Sequence, residues 1–382
     1  MGCIQKVVST FSRRQKVVLS FGLLLLLSLQ KYYSGITITW MNNNNNNNSN
    51  ESIKDVDYTV ETLKRNNTVM TSSSTSINQT TTTASKEDGV LVTSKTEPSF
   101  QIWLFHPEDD IISQKILSHG VYEPEETFFV HSIFSDSSGG WAVDIGANIG
   151  FHTLHMAALG AKVIAFEPSP DTATLLKRSI HANGFHPTTN TGYVHVIEAA
   201  AAATPGTGHL VRHPKSPGMT ILQREKDSSK LPFGLDNIIA TNIPLIQPST
   251  VISDIIFQNN TNKQQQKLKL LKVDAEGHEL YAFRGVNLTM YPFEYITFEL
   301  FPELLIQAGG TDPLDLLYYI NSNDYYCATD PTSITSSKPS NQNIILADTN
   351  QINHWYQTKI LPEYKKDQNL HLNLFCKKHI TK

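Results

Sequence analysis

Cysteine is nearly absent. The 382 residues contain three: Cys3, Cys327 and Cys376. None stands in a Cys-x-x-Cys pair, so neither the common zinc modules nor a disulfide framework is expected. Cys327 and Cys376 can pair in an oxidising compartment or stand as two buried thiols in core strands. Charge is also sparse, at 17% of residues with a net charge of −4. No broad basic surface follows, which argues against nucleic acid as a partner. Long apolar runs are missing except for residues 17–29, behind Lys6, Arg13, Arg14 and Lys16. That run is shorter than the ~20 residues that cross a bilayer. It extends to Trp40 if Lys31 snorkels.

A basic flank before an apolar core has the layout of a secretory signal. No Ala-x-Ala-like cleavage site follows closely, so an uncleaved signal anchor is expected over 17–40. Residues 1–16 then form a cytosolic tail, and the rest faces the lumen of the endoplasmic reticulum or Golgi. A cleaved signal would give a secreted protein. A mitochondrial presequence is the weaker alternative, because the leucine run is too apolar for an amphipathic transit helix. Met1-Gly2-Cys3 lacks the Ser or Thr of a myristoyl start, since Lys6 stands there. Residues 41–99 hold a run of asparagines from Asn42 to Asn48 and a Ser/Thr-rich stretch. Such polar text buries too little apolar surface to offset chain entropy, and a disordered stalk is expected. Glycosylation sequons occur at Asn47, Asn50, Asn66, Asn78, Asn259 and Asn287.

From about residue 100 to 382 the pattern is that of a folded domain. Short apolar runs at 141–145, 162–166, 193–198, 268–273 and 295–300 read as strands. They alternate with helical spacing over 151–159, 171–183 and 278–283. Alternation of this kind predicts a parallel sheet with helices on both faces. Residues 325–328 and 370–375 add a late antiparallel hairpin at one edge. Residues 204–248, 259–267 and 330–343 break the rhythm and read as loop insertions, the class of segment that forms lids or substrate platforms.

Asp144-Ile145-Gly146-Ala147-Asn148-Ile149-Gly150 lies between a predicted strand and a predicted helix, where open α/β sheets bind ligands. It lacks the third glycine of a dinucleotide turn. A cofactor with a small charged tail in place of pyrophosphate fits better, such as the methionine part of S-adenosylmethionine. Asp144 is positioned to meet its ammonium group, directly or through water. Glu167, after the second strand, is positioned to accept from both ribose hydroxyls. An ordinary strand-to-helix turn and a solvated loop acid are the plain alternatives.

These residues resemble a known family. Val143 to Phe151, then Ala165-Phe166-Glu167-Pro168-Ser169-Pro170, then Lys272-Val273-Asp274-Ala275-Glu276-Gly277-His278-Glu279 are similar to the FkbM family of S-adenosylmethionine-dependent methyltransferases. The resemblance implies a class I methyltransferase fold, a Rossmann-like sheet, and O-methylation of a hydroxyl on a glycan or small molecule. It places Asp144, Gly146, Asn148 and Glu167 on cofactor positions. Gly150 completes the glycine turn. The family more often has Ala where this chain has His278.

Lys272, Asp274 and Glu276 fall on one side of a strand if it persists. Methyl transfer to a hydroxyl needs in-line geometry and a base for the proton. Asp274, Glu276 and His278 are the candidates, and Glu276 as a helix cap is the structural alternative. Glu299, at the end of the fifth strand, is a candidate substrate contact. Asp274, Glu276 and Glu299 could ligate Mg²⁺, yet carboxylates near a cationic cofactor need no metal, and none is assigned. Two rival readings of the whole chain are an inactive methyltransferase-fold interaction module and a nicotinamide-dependent oxidoreductase.

Overall fold

Residues 268–273 are buried at every position, which is what a strand covered on both faces demands. The computed structural model describes residues 89–379, apart from 137–138, 187–191, 214–215, 224–237, 259–265 and 337–344. The tail, the anchor, all but the end of the stalk and the Asn259 sequon lie outside the described residues. Among the described residues no helix is long and apolar enough to cross a membrane.

The strands are β1 (Val90–Thr93), β2 (Gln101–Leu104), β3 (Trp141–Ile145), β4 (Lys162–Phe166), β5 (Tyr193–Ile197), β6 (Ala200–Ala201) and β7 (Gly206–His213). Then come β8 (Ser216–Gln223), β9 (Ile238–Ile246), β10 (Leu268–Val273), β11 (Tyr295–Leu300), β12 (Tyr325–Ala328), β13 (Ile345–Leu346) and β14 (Leu372–Lys378). The helices that position the site are α1 (Ile111–His119), α2 (Pro124–Phe134), α3 (Phe151–Ala158), α4 (Pro170–Asn183), α5 (Pro248–Ile252), α6 (Glu279–Val286) and α7 (Pro302–Gln307).

The main sheet runs β13-β12-β14-β11-β10-β3-β4-β5. Strands β5, β4, β3, β10 and β11 are parallel. Strand β14 is antiparallel to both of its neighbours, β11 and β12. This is a mostly parallel α/β sheet, as the alternation of strands and helices predicts. Chain order reverses direction between β3 and β10, the switch point at which such sheets hold ligands. Alternation divides the core. Val143, Ile164, Phe166, Leu271 and Phe298 pack on one face, and Ala142, Val163, Ala165 and Leu270 on the other. Helices cover both.

Several expectations need correction. The late strands do pair, but β14 inserts between β11 and β12 and leaves β13 as the edge. Cys327 and Cys376 face each other across β12 and β14 and form a disulfide. The folded part begins before residue 100, because β1 pairs with β2. The described residues of 204–248 are mainly strands, β7, β8 and β9. Together with β6 they form a four-stranded sheet, β6-β9-β7-β8. Its Pro and Gly content hid paired apolar positions: Leu210, Leu222, Ile243 and Leu245 share one buried face with Ala200 and Ala202. On the other side, Val211 and Ile221 pack on Leu304 of α7.

Candidate active site

The turn after β3 is shaped by a close approach of two strand ends. A β-carbon on Gly146 would stand 1.7 Å from the Asp274 carbonyl oxygen, so only glycine fits. Gly146 and Ala147 both donate N–H to the Phe166 carbonyl at 3.0 Å. That tie brings Glu167 against the turn. The Asn148 amide donates to Glu167 Oε2 at 2.8 Å, and the Ser169 amide to Oε1 at 2.8 Å. Each carboxylate oxygen keeps a second lone pair for a ligand. Burial pushes Glu167 up to about 7, with the two amides opposing. Asn148 takes a left-handed backbone, φ 54°. Its side chain accepts from Ile149 N–H and donates to the Gly218 carbonyl at 2.8 Å.

The second sheet roofs this turn. Gly146, Asn148, Glu167, Asp274, Glu276 and His278 line one cleft with Leu210, Gly218 and Leu222 of β7 and β8. Ala199 to Ala201 supply an apolar bed after β5. Polar ties join the roof to the floor. Gly218 N–H donates to Asp110 Oδ1 at 3.0 Å, and Arg212 meets Asp171 of α4 at 2.6 Å.

Asp144 is fully buried and does not line the cleft. Thr153 of α3 donates to it at 2.5 Å, and Lys272 Nζ lies 3.6 Å away. It supports the turn from beneath rather than facing a ligand directly. Gly150 starts α3 with φ 95°, against Leu176, and is likewise outside the lining. The loop after β10 is held by Glu279, whose Oε1 accepts from Ala275 and Gly277 N–H at 3.0 Å. The structural role considered for Glu276 therefore falls to Glu279. This frees Glu276, at φ 48°, to face the cleft with Asp274 and His278. Glu299 does not line the cleft. It lies close enough to Asp274 and Glu276 that burial and these two charges push its carboxyl well up.

Glu123 and Glu126, not singled out from the sequence, complete the cluster with His152, which the sequence places in the first turn after the glycine loop. Glu123 and Glu126, at the start of α2, flank His152 Nε2 at 3.1 and 3.5 Å. Thr297 of β11 donates to Glu126. Burial pushes Glu126 up to about 8. Burial opposes a charged His152, yet Glu126 and Glu123 hold its pKa above the ordinary value. The three ligand atoms lie within 4.8 Å of one another, close enough for a cation. His152 and the nearby Lys272 already offer positive charge there, and no metal is invoked. Tyr122 lies in the field of Glu123, Asp274, Glu299 and Glu276. In the sequence, Tyr122-Glu123-Pro124-Glu125-Glu126 reads as a helix start with first-turn acids, which masked this role.

The arrangement suits a nucleoside cofactor with a cationic end. Glu167 offers lone pairs for vicinal hydroxyls, the alanines offer a surface for a base, and Asp274 and Glu276 offer negative charge. Residues 144–327 match the family model described as the Methyltransferase FkbM domain. The chain is also similar to "Methyltransferase sdnD" of Sordaria araneosa, at 27% identity over 189 residues, 45% of this chain and 70% of the relative. Among solved structures, a SAM-dependent methyltransferase from Agrobacterium tumefaciens aligns at 14% identity with a TM-score of 0.21, over 29% of this chain and 33% of that one. The 16S rRNA N2 G1207 methyltransferase RsmC of T. thermophilus, in complex with AdoMet and guanosine, aligns at 10% identity and TM-score 0.30, over 76% and 50%. The chain thus spans at most half of either structure, and neither likeness is close enough to carry a residue's role across.

Proposed function

We propose that this chain binds S-adenosylmethionine between the Gly146 turn and the roof sheet, and transfers its methyl group to a hydroxyl of a glycan or small secreted molecule. The observation that carries the reading is Glu167. Two backbone amides hold its carboxylate open toward the cleft, two strands across the sheet from the acids Asp274 and Glu276. The cofactor supplies an activated methyl group when bound. The chain supplies the rest. Glu167 holds the ribose, Ala199 to Ala201 with Leu210 and Leu222 hold the base, and Asp274, Glu276 and His278 face the reacting end. A proton leaves the acceptor hydroxyl, and one of these three takes it.

The cleft is narrow, ≈ 60 Å³, whereas small-molecule sites span about 300–1,000 Å³. Cofactor entry therefore displaces the roof, whose polar ties include Gly218 to Asp110 and Asn148, and Arg212 to Asp171. A lumenal site of action is part of this proposal. Supporting it are the apolar run at 17–29 behind its basic flank, the Cys327–Cys376 pair and the exposed sequon residue Asn287.

The test is calorimetric titration of the full chain with S-adenosylmethionine and S-adenosylhomocysteine. Incubation with methyl-labelled cofactor and fractionated cell glycans, lipids and proteins follows. Saturable binding and label in the glycan or small-molecule fraction are expected. Failure to bind either compound would overturn the proposal, and label confined to protein or nucleic acid would overturn the acceptor class. Endoglycosidase treatment of the expressed protein is expected to lower its mass, and an unchanged mass removes the lumenal assignment.

A further inference from the structure

Among the described residues, Lys272 is the one cation, apart from the ring of His152, set among the carboxylates of this site. It lies on β10, about 3% exposed, with Nζ 3.6 Å from Asp144 Oδ1 and 3.6 Å from Asp274 Oδ2. Asp144 is sealed under the turn, while Asp274 is one-third exposed and lines the cleft. The groups facing Asp274 come from every element packed there. They are Lys272 and Asp144 on the strands, Glu167 after β4, Glu123 and Tyr122 before α2, His152 on α3, Glu276 and Glu279 beyond β10, and Glu299 on β11.

So many acids in a shielded space cannot all be ionised, because each added negative charge raises the cost of the next. The proton-free state goes to the acid best paired with a cation. Within the cleft lining, that pairing belongs to Asp274. Glu276 and Glu299 lie next to Asp274 instead. Burial raises all three carboxyls; at Asp274 the Lys272 charge opposes that rise, whereas at Glu276 and Glu299 the Asp274 charge adds to it.

We propose that Lys272 is a positioning residue that keeps Asp274 ionised while Glu276 and Glu299 stay protonated, which makes Asp274 the base. The proposal rests on the methyl-transfer reading of the cleft. As the acceptor oxygen forms its new bond to carbon, the methyl carbon–sulfur bond breaks and its electron pair stays on sulfur. The hydroxyl proton passes to Asp274. Glu276, protonated, serves as a hydrogen-bond donor to the acceptor rather than as a second base.

The test needs no acceptor. Infrared spectra of the full chain are recorded from pH 5 to 10 for the wild type, Asp274→Asn, Lys272→Met and Lys272→Arg. The proteins carry carboxyl-13C aspartate, so the wild type minus Asp274→Asn difference in the isotope-shifted bands isolates the Asp274 carboxyl from Glu276 and Glu299, which respond to its charge. At pH 7 it is expected to contain a carboxylate band and no protonated carbonyl band. In Lys272→Met the protonated band appears, with its midpoint about 1–3 pH units higher. Lys272→Arg returns it toward the wild type. A protonated Asp274 in the wild type at pH 7, or a midpoint unmoved in a folded Lys272→Met protein, overturns the proposal. The wild-type difference spectrum decides the first point even if Lys272→Met fails to fold. S-adenosylhomocysteine titration of the wild type, run in parallel, separates the two claims. Absent binding removes the methyl-transfer reading and leaves the ionisation result standing as a property of the cluster.

Discussion

The two sheets that enclose the cleft contribute in opposite ways. The eight-stranded sheet supplies the charged groups: Glu167 after β4, and Asp274 and Glu276 after β10. The four-stranded sheet contributes Leu210, Gly218, Thr220 and Leu222. The charged floor rests on strands buried on both faces, with Leu271 and Val273 fully enclosed. Among the described residues, the ties of the roof include two hydrogen bonds at Gly218, one ion pair at Arg212, an apolar contact of Val211 and Ile221 with Leu304, and Met219 packed on the main core. Chemistry that needs fixed geometry sits on the rigid sheet. The element that must move for a ligand to enter belongs to a separate sheet, not strand-paired to the floor among the described residues.

This contrast can be broken at the floor first. Asp274→Asn is expected to lower turnover about 10²–10⁴-fold while S-adenosylhomocysteine still binds. Calorimetry beside the labelled-methyl assay checks it, and unchanged turnover would remove the residue from the reaction. Next in size is the edge of the same sheet. Cys376→Ala is expected to cost about 2–5 kcal/mol of stability, read as a lowered denaturant midpoint at constant slope. The cofactor affinity of the folded fraction should not move, because the disulfide is remote from the cleft.

Glu167→Gln comes third. It is expected to weaken S-adenosylhomocysteine binding by about 1–3 kcal/mol, the usual effect of disturbing one buried polar partner. Glu167 also sharpens the comparison through pH. Burial raises its pKa from 4.5 to about 7 in the folded protein. Its contribution to folding is therefore fullest below pH 4.5 and is lost as pH rises through 7. Ligand-free protein should lose stability across that window. Affinity should rise across the same window, because the ionised carboxylate is the better acceptor. Thermal melts with and without S-adenosylhomocysteine at pH 5.5 and 8 measure both, and a ligand-induced shift independent of pH would exclude Glu167 from the site.

The smallest effect belongs to the roof. The Arg212–Asp171 pair is partly exposed, and Arg212→Ala is expected to change stability by about 0.2–1 kcal/mol. It should speed association of S-adenosylhomocysteine in stopped-flow measurements more than it changes the equilibrium constant. A slower association would mean that the roof guides the ligand rather than gating it.

The sequence by itself determined the strand–helix alternation from Trp141 to Leu300, the glycine turn and the acids that follow β4 and β10. These features are local. A buried strand is a short apolar run, a turn needs glycine at a fixed place, and a site acid follows its strand directly. Only the tertiary structure decided the rest. Glu123, Glu126 and His152 meet across two helices, and nothing in the text around Pro124 distinguishes them from ordinary first-turn acids. Cys327 and Cys376 pair because β14 returns between β11 and β12, a choice made by long-range strand pairing. The roof is a sheet because Leu210, Leu222, Ile243 and Leu245 find one another across polar, proline-bearing stretches. Asp144, Gly146 and Asp274 lie within one sequence pattern or another, yet which of them faces the cleft was set by packing: Lys272 and Thr153 hold Asp144 beneath the turn and leave Asp274 at its mouth.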